Sequence, residues 1–86
     1  MNINKLISIV KNKLEKNILF EDINIEDKTF LHKNHKTHKE GKFHIKINIK
    51  SKQLKELSKV ESTKKIYSIL HNELKIYIHS IQILIQ

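Results

Sequence analysis

The segment from Phe43 to Lys50 alternates without interruption between apolar and polar side chains. The apolar positions are Phe43, Ile45, Ile47 and Ile49. Because successive side chains of a strand point to opposite faces, this pattern predicts a β-strand with one inward, apolar face and one outward face that carries a histidine and two lysines. The rest of the chain must then supply the elements that cover the inward face.

Helical spacing of apolar residues precedes this strand. A stripe with steps of three and four residues predicts a helix of about four turns. The stripe consists of Ile3, Leu6, Ile7, Val10 and Leu14. Asn2 or Asn4 is available as the N-cap of this helix.

Helical spacing also follows the strand. Ser51 can cap a short helix, and Ser62 can cap a longer one. The apolar face of the short helix would comprise Leu54, Leu57 and Val60. The apolar face of the longer helix would comprise Ile66, Ile69, Leu70 and Leu74.

Two more strands complete the prediction. Residues 18–26 are rich in β-forming side chains and predict a first strand, residues 27–42 predict a polar loop, and residues 77–86 predict a third strand. The order α-β-β-α-α-β predicts an α+β fold, a two-layer sandwich with a three-stranded mixed sheet and helices on one face. The first two strands would pair antiparallel and the last two parallel, through a right-handed crossover. Residues 1–86 form a single domain in this prediction.

The charge of the chain is strongly positive but carries little functional information. Lysine supplies all 17 basic charges, the net charge is +8 and the isoelectric point is about 9.8. The joint excess of lysine, isoleucine and asparagine is typical of an AT-rich genome. The charge would attract polyanions and acidic surfaces without sequence specificity. No apolar run approaches the length of about 18 residues that a membrane span requires, so we expect no membrane association.

Histidine is the residue type that points to chemistry. The chain has six histidines and no cysteine, so imidazole is its only soft nitrogen ligand. Four of the six crowd residues 32–44, and His79 lies in an apolar, strand-like segment. A serine–histidine–aspartate set, paired carboxylates and a glycine-rich phosphate loop are absent from the sequence, so we expect no enzymatic activity.

Three segments together resemble the BolA family, whose fold is related to the type II KH domain. The first is the helix and strand at 6–14 and 23–27. The second begins at His35, a loop histidine, and ends with HIKINIKS at 44–51. The third joins a helix at 66–74 to IHSIQI at 78–83, which is similar to the family's Ile-His-Ala-Leu-x-Ile strand.

The resemblance implies a partner of monothiol glutaredoxins of the CGFS type. Members of the family share a [2Fe–2S] cluster with the glutaredoxin, whose cysteine and bound glutathione ligate it together with a histidine of the BolA protein. The position that matches this invariant histidine is His79. His35 matches a loop position where members carry cysteine or histidine. The resemblance thus implies that the isolated chain is a monomer without a cofactor. With the glutaredoxin it would form a heterodimer that bears the cluster and acts in iron–sulfur cluster assembly, trafficking or iron regulation.

Four further residues are expected at the partner contact. His44 is expected to point outward and to flank the site, and Lys36 and Ser80 lie beside the two candidate ligands in sequence. Lys64 is the one charge retained from an Arg-His-Arg element that opens the family's last helix. A Phe-x-Gly turn of the family is also replaced, by Leu54-Lys55-Glu56. These departures bear on docking affinity or partner choice.

Two other functions stay open at this stage. The KH-like fold and the charge are compatible with a transcriptional regulator that binds DNA or RNA, although residues 59–62 lack the Gly-x-x-Gly pattern that clamps a nucleic-acid backbone. The third candidate is a protein that binds a metal without a partner, through the loop histidines His32, His35 and His38. We expect a cytoplasmic location, with a mitochondrial one as the alternative because the basic amphipathic start can imitate a presequence.

Overall fold

A computed structural model describes residues 1–29 and 42–86. Most of the predicted loop 27–42, including His35 and Lys36, lies outside the described residues. The elements in chain order are α1 (Ile3–Asn17), β1 (Asp22–Asp27), β2 (Phe43–Lys50), α2 (Lys52–Lys55), α3 (Lys59–Ile69), α4 (His71–Ile76) and β3 (Ile78–Ile85). The predicted α+β architecture is confirmed, with helices joined to a three-stranded mixed sheet.

The first helix forms where the apolar stripe predicts it. The Asn2 side chain accepts a hydrogen bond from the backbone N–H of Lys5 at 2.8 Å and so caps the helix. Leu6, Val10 and Leu14 are fully buried on one face. This face covers the sheet, as a period of 3.6 residues requires.

The sheet has the order β1-β2-β3 with β2 in the centre. Strand β1 is antiparallel to β2, with Asp22 opposite Lys50 and Asp27 opposite Ile45. Strand β3 is parallel to β2. The predicted central strand at 43–50 is confirmed at both ends. Its apolar side chains form the core together with helical side chains such as Leu54 and Ile66.

The first strand begins later than the sequence predicts, at Asp22 instead of residue 18. Ile18 ends helix α1, where its N–H donates to the carbonyl of Leu14, and its side chain is buried. Leu19 is 78% exposed. The burial of Ile18 therefore reflects packing at the helix end and not pairing in the sheet.

The connection from β2 to β3 contains three helices instead of the predicted two. Ser51 caps α2 as predicted, but α3 begins at Lys59 and is capped by Ser58, whose hydroxyl accepts from the N–H of Glu61 at 3.1 Å. Ser62, the predicted cap, is buried one turn inside the helix. The backbone of Leu70 leaves helical geometry and separates α3 from α4. Val60, predicted on the apolar face, is 63% exposed.

A partly buried ion pair joins the first helix, α1, to the last helix, α4. Glu73 of α4 is 6% exposed, and its carboxylate oxygens lie 2.8 and 2.9 Å from Nζ of Lys13 of α1. The pair ties α4, and hence the start of β3, to the first helix. Within residues 1–29 and 42–86, no helix combines the length and the apolarity that crossing a bilayer demands.

Candidate functional site

Three chain segments meet at one end of the sheet. Strands β2 and β3 are parallel and begin there, and the antiparallel strand β1 ends there at Asp27. The residues that gather at this end are Thr29, His44, His79 and Ser80. We call these four residues the histidine end of the sheet. Two of the predicted partner-contact residues, His44 and Ser80, thus join the candidate ligand His79.

A β-bulge presents His79 to the outside. Phe43 pairs with Ile78 and His44 pairs with Ser80, so His79 is an extra residue in β3. A bulge leaves its extra residue out of the regular ladder and redirects its side chain. His79 is exposed, whereas Ile78 before it is 2% exposed. The bulge therefore separates the imidazole from the core without interrupting the strand.

His44 differs from the expectation for an outward-facing strand residue. It lies on the sheet face opposite the helices, as the alternation predicts, but only 5% of its surface is exposed. Its Nδ1 forms a hydrogen bond with Oγ of Ser80, the residue paired with it across the ladder. The ring of His79 is a second neighbour of this side chain.

The backbone of His44 is fixed by the residues that follow β1. Its carbonyl accepts from the N–H of Lys28 at 2.7 Å, and its N–H donates to Oγ1 of Thr29 at 3.2 Å. The Thr29 hydroxyl in turn donates to Oδ1 of Asp27 at 2.6 Å, and the same oxygen accepts from the Thr29 N–H at 3.0 Å. This side-chain turn orders the chain directly before residue 30. It holds Lys28 and Thr29 next to the backbone of His44.

The two histidine rings lie close together but in different environments. Their centroids are 4.9 Å apart and their planes are inclined by 45°. The His44 ring is buried and hydrogen-bonded to Ser80, while His79 is exposed. An exposed imidazole whose neighbour is held rigidly is suited to ligate a metal centre that approaches from outside, because supporting contacts orient ligands.

Glu26, the next-to-last residue of β1, also lies close to this end of the sheet. The side chain of Asn48 donates to its Oε2 at 2.7 Å, and Nζ of Lys28 lies 3.2 Å from its Oε1. The hydrogen bond from Asn48, followed by the one from Lys28, lowers the pKa of the Glu26 carboxyl below its ordinary value. The same lowering of the pKa favours the ionised carboxylate that pairs with Lys28.

The described part of the chain offers too few ligands for a complete metal site. Among residues 1–29 and 42–86, no group of three or more His, Cys, Asp or Glu side chains could hold a metal ion. His79 and His44 are the pair that the structure brings together. His35, the second predicted ligand, lies with Lys36 outside the described residues, as do His32 and His38 of the alternative loop site. A cluster at His79 would therefore need further ligands, and the thiolates among them must come from another molecule because the chain has no cysteine.

Lys64 is not part of the histidine end. It is exposed on α3, and its neighbour Thr63 lines a groove beside Ile83 and Ile85, near the opposite end of β3. His71 is exposed at the start of α4.

The bulge and the Thr29 turn were not recognised from the sequence, although one signal for the bulge exists. Ile78 and Ile81 both pack on the helix side of the sheet, yet they are three residues apart. A regular strand brings residues two or four apart to one face. The odd spacing marks an inserted residue between them, and His79 is one of the two candidates.

Comparison with protein families gives one clear match. The model of the family described as BolA-like protein matches residues 14–86. No curated protein matches the chain significantly.

Solved structures of BolA proteins share the fold. The BolA domain of SufE1 from Arabidopsis thaliana superimposes with a TM-score of 0.79 at 24% identity, over 100% of this chain and 93% of that chain. BolA1 from Arabidopsis thaliana gives a TM-score of 0.75 at 26% identity, over 92% and 87%. The solution structure of BolA1 from Mus musculus gives 0.71 at 17% identity, over 90% and 60%. The similarities below 25% identity concern the fold alone.

Proposed function

The chain belongs to the BolA-like protein family, and we propose that it is a non-enzymatic adaptor that binds a monothiol glutaredoxin of the CGFS type. In this proposal the two proteins share a [2Fe–2S] cluster, and the heterodimer acts in iron–sulfur cluster assembly, trafficking or iron regulation. The isolated chain is a monomer that holds no cluster.

One observation carries the proposal. His79, the position that matches the family's invariant histidine, is an exposed imidazole on a β-bulge, supported from one side by the buried His44. A bulge that exposes a histidine at a strand start contributes nothing evident to the core. Its geometry suits a ligand that must reach a metal held by a second protein.

The donor set agrees with a shared cluster. Two-iron clusters are usually held by four thiolates, and imidazole can replace thiolate on one iron. This chain can supply imidazole from His79, with His35 as the second candidate, but no thiolate. The glutaredoxin cysteine and glutathione would supply the rest. When bound, the cluster would contribute a redox-active centre whose potential is raised by imidazole ligation.

The lysines around the site favour an anionic partner surface. Lys28 and Lys42 flank the segment 30–41, and Lys36 lies within it. Positive charge near a binding site raises the association rate of an acidic or glutathione-bearing partner and makes it dependent on salt. These lysines would steer the partner, while His79 would hold the cluster.

A spectroscopic titration tests the proposal. The chain is added to a cluster-loaded CGFS glutaredoxin while visible absorption and circular dichroism are recorded. The wild type should change the spectrum, because the environment of the cluster changes with its ligands. His79→Ala should fail to reproduce the change, and His35→Ala should show whether the loop histidine also ligates. His71→Ala removes an exposed imidazole from α4 and is the matched control. An unchanged wild-type spectrum, or a normal response of His79→Ala, rejects the adaptor function.

The structure gives the nucleic-acid alternative no specific support. Residues 59–62 form the first turn of α3 and not a backbone-clamping loop. Duplex and single-stranded DNA should therefore bind only weakly at physiological salt, with an affinity that the salt dependence accounts for entirely. Tight, salt-resistant binding would favour the regulator instead.

A further inference from the structure

Strand β3 forms an edge of the sheet, because the strand order is β1-β2-β3. From Ser80 to Ile85 it has neither a charged residue nor a proline. Edge strands usually resist pairing with other chains through charges, proline or bulges. The bulge at His79 lies at the start of β3, so the remainder of the strand has none of these protections.

The free edge carries regularly spaced backbone groups. Just beyond β3, the N–H of Gln86 donates to the carbonyl of Ile49 at 2.8 Å, and the carbonyl of Gln86 accepts from the N–H of Ser51 at 3.0 Å. In a parallel ladder, alternate residues direct both backbone groups to the same side. The odd-numbered residues in 81–85 therefore direct theirs away from β2. No strand in the described ranges pairs with them.

A groove of about 320 Å³ lies beside the second half of this edge, between β3 and helices α2 and α3. Its apolar lining includes Leu54, Leu57, Ile83 and Ile85. The groove is on the helix side of the sheet, so the inward side chains of a strand added to β3 would project into it. The apolar lining of the groove is thus continuous with the core and reaches beyond strand β3.

The charge of the groove identifies the kind of partner. Lys55 and Lys59 line it, and the lining contains no acidic side chain. Neither lysine forms an ion pair with a residue of the described structure. A second copy of the chain, with its net charge of +8, would be repelled. An acidic segment would be attracted.

We propose that β3 binds an extended segment of another protein whose inward-facing positions, every second residue, include both apolar and acidic side chains. The segment adds as a fourth strand, and its inward side chains enter the groove. The apolar ones contact the apolar lining, and the carboxylates lie beside Lys55 and Lys59, which line the same groove. The surface is centred near Ile85, six residues from His79, which corresponds to roughly 20 Å along a strand. It is therefore separate from the cluster site and does not depend on the proposed function.

A peptide titration tests this binding mode. The probe is the seven-residue peptide Glu-Thr-Val-Thr-Val-Thr-Glu, in which the glutamates and valines share one face of the strand, added to the ¹⁵N-labelled full chain and followed by NMR. We expect the amides of Ile81, Ile83 and Ile85 to shift and to become protected from hydrogen exchange. The same peptide with lysine in place of both glutamates tests the charge. The glutamate peptide with alternate backbone amides N-methylated tests the strand pairing. Both control peptides should bind at least tenfold more weakly.

Charge reversal on the protein supplies the matched variants. The double variant Lys55→Glu/Lys59→Glu should weaken binding of the glutamate peptide roughly tenfold, since two attractive charge pairs become repulsive. Lys5→Glu/Lys11→Glu makes the same charge change on exposed positions of α1 and should have little effect. Equal binding of the N-methylated peptide, shifts confined to other surfaces, or tighter binding of an oligonucleotide to the groove would overturn the proposal. Self-association through β3, detected by sedimentation without peptide, would also overturn it.

Discussion

The buried ring of His44 lies 4.9 Å from the exposed ring of His79, and Ser80 connects the two because it follows His79 in the chain and hydrogen-bonds to His44. The bulge makes this arrangement possible, since it lets two consecutive residues of β3 face one residue of β2. In the proposed function the residues would have separate roles: His79 would face the partner, and His44 with Ser80 would support it.

Two substitutions at Ser80 test the supporting role. Ser80→Thr retains the hydroxyl that bonds to His44, whereas Ser80→Val replaces it with a methyl group of similar size. We expect the valine variant to have a free energy of unfolding about 1–2 kcal/mol lower than the threonine variant, because a hydrogen bond of a buried side chain is lost. Chemical denaturation measures the difference. Equal stability of the two variants would show that the hydroxyl contributes nothing.

The lowered pKa of Glu26 predicts a pH dependence of stability. As pH falls, the unfolded chain binds the proton at the ordinary carboxyl pKa, before the folded chain does. The stabilisation is therefore complete above about pH 5 and is lost as pH falls through the folded pKa. Glu26→Gln should show a shallower loss of unfolding free energy between pH 5 and 3 than the wild type. Glu15→Gln, at an exposed position of α1, should leave the slope unchanged.

Because the carboxylate of Glu73 is buried, removal of its partner Lys13 should lower the free energy of unfolding. Lys13→Met removes the cation 2.8 Å away while retaining most of the aliphatic stem. Because Lys13 is itself about one-third exposed, we expect a loss of about 1–2 kcal/mol, less than for a fully buried pair. Thermal unfolding should show a decrease in Tm of roughly 4–16 °C. Lys11→Met on the exposed side of the same helix is the control, and an equal decrease there would contradict the role of the ion pair.

The central strand and first helix could be predicted from sequence because each is specified by its own periodicity. The alternation at 43–50 and the stripe from Ile3 to Leu14 correspond directly to β2 and α1. The start of β1 could not be predicted in this way, because Ile18 is as apolar as a strand residue but packs at the end of a helix. The cap of α3 was misassigned because Ser58 and Ser62 both precede suitable turns. Packing decided between them by burying Ser62.

Only some features of the candidate site could be predicted from the sequence. The family resemblance singled out His79, and the structure places it beside His44 and Ser80. The burial of His44 could not be inferred, because alternation assigns a sheet face but does not say what encloses a side chain on that face. The position of Lys64 on α3, next to the Thr63 that lines the groove beside Ile83 and Ile85, depends on tertiary packing that no local pattern encodes.

Pulsed EPR of the reduced cluster tests the central claim, that His79 ligates a cluster held by a second protein. The complex is assembled from unlabelled cluster-loaded CGFS glutaredoxin and this chain labelled with ¹⁵N only in histidine, so that a ¹⁵N coupling reports an imidazole from this chain alone. We predict a coupling characteristic of a directly bound nitrogen in the wild type and in His71→Ala, and its loss or reduction in His79→Ala. The absence of ¹⁵N coupling in the wild type, or an identical spectrum of His79→Ala, would contradict the account.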